Sequence, residues 1–211
     1  MSTAKALNAE NRPMLATYLV ANVIVYALII PQVSDDPSLV QIDLTWLTGI
    51  LAPTVVGSLF ATILNLLTPE GLKHVLVFWR LRDVLPGHRA FSVWANKDSR
   101  FQVSQLKAKI TPWPSTTKAE NAEWYRLLKA HEALPFVRDA HQQFLLARDL
   151  TAMTPVLLIA FVASRFVMGS PLSKASWIGY IFAIVEFVIV ALAGRFAGNR
   201  LVRDVLAGEA V

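Results

Sequence analysis

The chain has 211 residues, 55% hydrophobic and 17% charged, with a net charge of +5. Ordinary globular domains are about one quarter charged, so this balance points to a membrane protein, whose retained basic residues raise the charge without a nucleic-acid partner. With no cysteine in the sequence, disulfides, thiolate metal sites, iron–sulfur clusters and cysteine nucleophiles are excluded.

Charge is segregated along the chain. Residues 68–149 hold all four histidines, thirteen of the twenty Lys and Arg, and eight of the fifteen Asp and Glu. Long apolar blocks flank this polar middle on both sides, which is the pattern of membrane spans around a soluble insert.

Residues 1–13 are polar, and Asn11 and Pro13 suit the opening of a helix. The first span is expected near 14–32, with Asn22 at its middle. A buried amide in lipid is expected to hydrogen-bond a neighbouring helix. The loop after it carries Asp35, Asp36 and Asp43 and no Lys or Arg, which predicts an exterior position. The second span is expected at 44–67, with Trp46 at the interface, a kink at Pro53, and Gly57 and Ala61 on a close-packing face.

In the polar middle, Leu72, Val75, Leu76 and Trp79 recur at helical spacing and are flanked by Lys73, Arg80 and Arg82. An amphipathic helix at the membrane surface is expected, with those three basic residues on anionic headgroups; packing into the soluble part is the alternative. Pro86 and Gly87 mark a turn, and Pro112 and Pro114 exclude a helix interior. Thr117 and Glu120 stand at capping-box spacing. The helix they open carries Trp124, Leu127, Leu128 and His131 on one stripe.

Pro135 suits the first turn of a further helix, along which Val137, Ala140, Phe144 and Ala147 line one side. No breaker occurs before Pro155, so this helix is expected to run unbroken into a third span at 150–169. Arg165 lies near the outer end of that span, where it can snorkel. A fourth span is expected at 176–195, anchored by Trp177 and Tyr180, with Glu186 near its centre.

Eighteen Lys and Arg fall on one side of this arrangement and two on the other. The positive-inside rule then places both termini and the middle in the cytoplasm, at the plasma membrane, or the inner membrane of a bacterium. The expected fold is an all-α integral membrane protein, with four transmembrane helices as two hairpins and a small, mainly helical cytoplasmic subdomain between them. Its parts are a tail and first hairpin at 1–67, the subdomain at 68–149, the second hairpin at 150–195 and a cytoplasmic tail at 196–211.

The intramembrane polar residues are Asn22, Arg165 and Glu186. A charge at mid-span costs at least about 2.5–3.5 kcal/mol, so Glu186 is expected to be neutral, paired with Arg165, or facing a polar path. His74, His88, His131 and His141 show no metal-ligand spacing, and no metal or cofactor is expected. Nucleotide-binding and nucleophile motifs are absent from the sequence. The carboxylates of the middle stand mostly beside basic residues, which reads as a solvated surface.

Aromatic and basic residues alternate through the middle, which makes Trp79, Arg89, Trp94 and Trp113 candidates for partner binding. In so small a subdomain tryptophans are first of all core. The expected function is non-enzymatic: the insert binds a cytoplasmic protein or a small-molecule signal and anchors it to the membrane or transmits it there. One alternative is an oligomeric small channel or membrane-perturbing effector gated by the insert. Another is a membrane-bound enzyme using the histidines, which requires two or more of them to converge in one cleft. The expected partners are anionic headgroups and further copies of this chain, not nucleic acid.

Overall fold

The computed structural model describes residues 3–26, 63, 67–167, 169 and 171–210. The second predicted span and the aspartate-bearing loop before it fall almost wholly outside these residues. Among the described residues the chain is helical and contains no strand.

The helices are α1 (Thr3–Glu10), α2 (Arg12–Ile24), α3 (Glu70–Phe78), α4 (Val103–Lys109), α5 (Thr117–His131), α6 (Pro135–Val167) and α7 (Lys174–Ala210). A 3-10 turn at Pro86–Arg89 and a π turn at Ala90–Trp94 connect α3 to α4. Helices α6 and α7 are long and apolar enough to cross a membrane. As expected, α6 begins at Pro135 and runs unbroken through Pro155. Gly169, at φ 67°, turns the chain between α6 and α7, a left-handed conformation that costs glycine little.

The described residues form two compact units. The first contains Met1–Asn11, Glu70–Arg148 and Ala191–Val211. Its core joins Val77 and Phe78 of α3, Leu127 of α5, Val137 and Phe144 of α6, and Leu201 and Val205 of α7. The segment expected as a C-terminal tail is therefore core-forming helix. Leu201, Val202, Val205 and Leu206 recur on one face of α7 and are fully buried. Gly198 is needed there, because a Cβ would lie 2.8 Å from the Phe78 ring and 3.0 Å from Phe144.

Helix α3 buries Lys73, His74, Val77 and Phe78. The stripe expected to meet lipid points outward from this unit: Leu72 and Trp79 are exposed and Val75 and Leu76 half-buried. Helix α5 is capped by Thr116, one residue before the expected cap, whose hydroxyl accepts from the Ala119 amide at 3.2 Å. Glu120 is thereby released from capping and is buried.

The second unit contains Arg12–Pro69 and Asp149–Val190. Tyr26, Phe161 and Ala183 are buried together, with the Tyr26 and Phe161 rings 4.7 Å apart. A Cβ at Gly179 would fall 2.3 Å from the Phe161 ring, so the closeness of α6 and α7 at this level requires glycine.

Candidate functional site

Within the first unit a cleft of about 400 Å³ opens between α3, α5 and α6. Trp124, Leu128 and Phe144 supply its apolar wall, and Asn121, Lys129, His141 and Arg148 its polar groups. Each reaches the cleft because of its register. Asn121, Trp124 and Leu128 repeat every three or four residues on α5, with Lys129 next to Leu128, and His141, Phe144 and Arg148 repeat likewise on α6. Gly87 passes directly under α5, where a Cβ would lie 2.6 Å from the Trp124 ring and 2.8 Å from Asn121 Oδ1. That close pass brings Leu85 and Pro86 to the rim.

The cleft's electrostatics follow from burial. Arg148 is buried and donates to Glu70 Oε2 at 2.5 Å. Burial pushes the His141 imidazole down to about 4, and the nearby Lys129 and Arg148 push in the same direction. His141 is thus neutral at physiological pH and able to donate or accept. His74 Nδ1 donates to the Glu70 carbonyl at 2.7 Å, which fixes its tautomer. Trp124 Nε1 is buried and finds no acceptor among the described residues. Two of the four histidines, His74 and His141, therefore share this cleft. The other two lie elsewhere: His88 Nδ1 accepts from the Leu85 amide at 3.0 Å, and His131 pairs with Glu209 at 2.8 Å. No group of metal-ligating side chains occurs among the described residues.

Several carboxylates read as solvated are buried anchors. Glu120 Oε2 accepts from the Phe91 amide at 2.8 Å, the Ser92 amide at 3.0 Å and the Ser92 hydroxyl at 3.1 Å. It therefore holds the first turn of the π turn in place. Asp98 and Asp204 are also buried and share Arg100. Arg100 holds the Asp98 carboxyl below the usual carboxylate range, chiefly by hydrogen bonding.

The basic residues assigned to headgroups divide. Lys73 is buried and pairs with Glu70 at 3.5 Å, so it is not part of an exposed basic surface. Arg82 is exposed, while Arg80 lies over the Phe78 ring. Burial and the nearby Arg89 and Arg195 hold the Arg80 guanidinium below its ordinary range, which marks a cluster of three arginines. Trp79, at φ 52°, closes α3 in a left-handed conformation with the Arg195 guanidinium 4.2 Å above its ring. Among the other candidate partner-binding tryptophans, Trp94 is half-buried with Arg203 and Lys97 on its ring. Trp113 is half-buried, edge-on to Phe91 at 5.1 Å. Both serve the core first.

Within the second unit a polar cluster links α2, α6 and α7. Asn22 Nδ2 donates to Glu186 Oε1 at 2.8 Å and to the Tyr18 carbonyl at 3.1 Å. The hydroxyls of Tyr18 and Thr154 share a hydrogen bond of 2.7 Å. The residues Tyr18, Asn22 and Tyr26 follow one another at four-residue spacing, one face of α2 and the π-helical turn that extends it. The cross-helix bond expected of Asn22 is present. Arg165 donates to Ser176 at 2.9 Å and Ser173 at 3.0 Å, and the Arg165–Glu186 pair, one of the three alternatives for Glu186, is not formed. The four-residue spacing of tyrosine, asparagine and tyrosine was visible in the sequence, whereas its partner 164 residues away was not. No known family, curated protein or solved structure matches this chain.

Proposed function

We propose that this protein is a membrane-anchored, non-enzymatic receptor whose helical unit takes a small-molecule ligand in the cleft between α3, α5 and α6, with His74, held by the Glu70 carbonyl, and His141 serving there as binding groups. The observation that carries the reading is the composition of that cleft. It sets a neutral, buried His141 and the Asn121 amide beside an aromatic and aliphatic wall in a space of about 400 Å³. An apolar cavity with a few convergent polar groups is the usual form of a small-molecule site. The matching ligand has a flat or apolar body and one hydrogen-bonding edge.

The anchor in this reading is four transmembrane segments in two hairpins, with both termini and the binding unit in the cytoplasm. The Lys and Arg distribution supports it, and Arg82 with the Arg80–Arg89–Arg195 cluster favours anionic headgroups. Reporter fusions at Asp36 and Ser173 should score exterior, and a fusion at Thr116 interior. An exterior signal at Thr116 overturns the topology.

The binding reading is tested by screening small metabolites against full-length protein in micelles for thermal stabilisation. A specific ligand at one hundred times its Kd stabilises by about 2.7 kcal/mol. Asn121→Leu, and Tyr125→Ala at a half-exposed α5 ring that also lines the cleft, should abolish the shift while leaving the unliganded melting temperature near that of the wild type. Ligand shifts that survive both substitutions would rule out this cleft as the site.

A further inference from the structure

We propose that Glu186 is a proton-binding site, carrying a proton on Oε2 and closing a reciprocal acid–amide pair with Asn22. The argument is an inventory of hydrogen bonds. Asn22 Nδ2 donates to Glu186 Oε1 at 2.8 Å. The other oxygens of the same two groups, Glu186 Oε2 and Asn22 Oδ1, are buried and have no partner among the described residues. Both are acceptors when the carboxyl is ionised, so neither can satisfy the other. Buried acceptors without a donor are strongly disfavoured. One proton on Oε2 converts it into a donor, and the pair then has Nδ2–H to Oε1 in one direction and Oε2–H to Oδ1 in the other.

The charge inventory agrees. No ion pair to Glu186 is formed by a described residue, and Arg165 of α6 is held by Ser173 and Ser176. The ionisable neighbours of Glu186 are the phenols of Tyr18 and Tyr26 on the chain segment of α2, and the Tyr18 hydroxyl is also near enough to act on the carboxyl as a hydrogen-bond donor. Neither supplies a positive charge. From α6, Thr154 engages Tyr18 through its hydroxyl. A carboxylate here would be unneutralised, whereas the acid is neutral and fully bonded to the amide.

The Tyr26 hydroxyl is a third buried oxygen in this unit without a partner among the described residues. An alkali cation would use the same oxygens as the proton, and the experiment separates the two. The inference concerns the second unit alone and does not depend on the cleft of the first.

The test is infrared spectroscopy of the purified full-length protein in micelles, taken as the difference between wild type and Glu186→Gln. Glutamine places an Nε2–H where the acid has its Oε2–H, so both hydrogen bonds to Asn22 survive and the variant retains the fold. At neutral pH in a potassium buffer, the wild type should contribute a carboxylic-acid C=O band that the variant lacks. Exchanging potassium for sodium at fixed pH should leave it unchanged. Carboxylate bands at neutral pH overturn the proposal. An acid band that sodium removes at fixed pH also overturns it, and makes this an alkali-cation site. Asn22→Leu approaches the pair from its other side. It removes the amide, so the acid band should shift to higher frequency, and an unshifted band shows that Asn22 is not the partner.

Discussion

Replacing Glu120 with alanine tests whether one buried carboxylate organises the segment beneath α5. Its Oε2 accepts from two backbone amides and one hydroxyl, and the residue is 4% exposed. Hydrogen bonds to a charged acceptor contribute about 1.5–3 kcal/mol, and a buried donor left unmet costs about 1–3 kcal/mol. Phe91 is 1% exposed, so its amide cannot turn to water, whereas Ser92 is exposed and recovers part of its loss. The expected cost of Glu120→Ala is about 3 kcal/mol. Glu120→Gln keeps a neutral acceptor in place and should cost about half as much. Thermal unfolding followed by circular dichroism in micelles reads both. At about 4 °C per kcal/mol for a domain near 100 residues, alanine should lower the transition by roughly 12 °C. An alanine variant melting within about 2 °C of wild type would show that the π turn does not depend on this carboxylate.

His141 titrates at about 4 in the fold, below its ordinary value of 6.5. The unfolded chain therefore binds the proton more tightly, and stability present above pH 6.5 is lost as the pH falls toward 4. The loss should reach on the order of 3 kcal/mol and should be absent from His141→Gln, as melting temperatures across that range will show. Arg100→Ala strands the buried carboxylate of Asp98 and leaves that of Asp204 with Arg200 at 3.4 Å; their side chains are 4% and 6% exposed. Discounted for the half-exposed guanidinium, the cost should be about 2 kcal/mol. It should shrink as the pH falls and the carboxyls protonate; an equal cost at low pH would assign the role of Arg100 to packing.

The sequence made the helices legible where one residue pattern served one purpose. Pro135 opens α6, and Val137, Ala140 and Phe144 are buried along it as their spacing implied. It misled where a pattern admitted two registers. Thr117 and Glu120 have the spacing of a capping box, but Thr116 stands one residue earlier and takes the role, freeing Glu120 for backbone amides 28 and 29 residues away. Arg195, Arg200 and Arg203 made the end of the chain look like a solvated tail. The apolar residues among and after them, Leu201, Val202, Val205 and Leu206, keep helical spacing and belong to the core. For Glu186, opposite charge suggested Arg165, yet the bond formed is to an amide. Local pattern ranks partners by charge and reach, and only the packed helices show which group lies opposite.

The first unit buries Leu7 near one end of the chain, and its core draws on Leu206 near the other. Synthesis proceeds from the N-terminus, so Leu7 leaves the ribosome long before its unit can close. All of α6 and the apolar half of α7 are made in the interval. The first unit thus acquires its full core only after those hydrophobic stretches have been translated, and a chain stalled before residue 201 lacks four of its fully buried side chains. Such a chain would lack the four α7 side chains that share a core with Phe78 and Phe144.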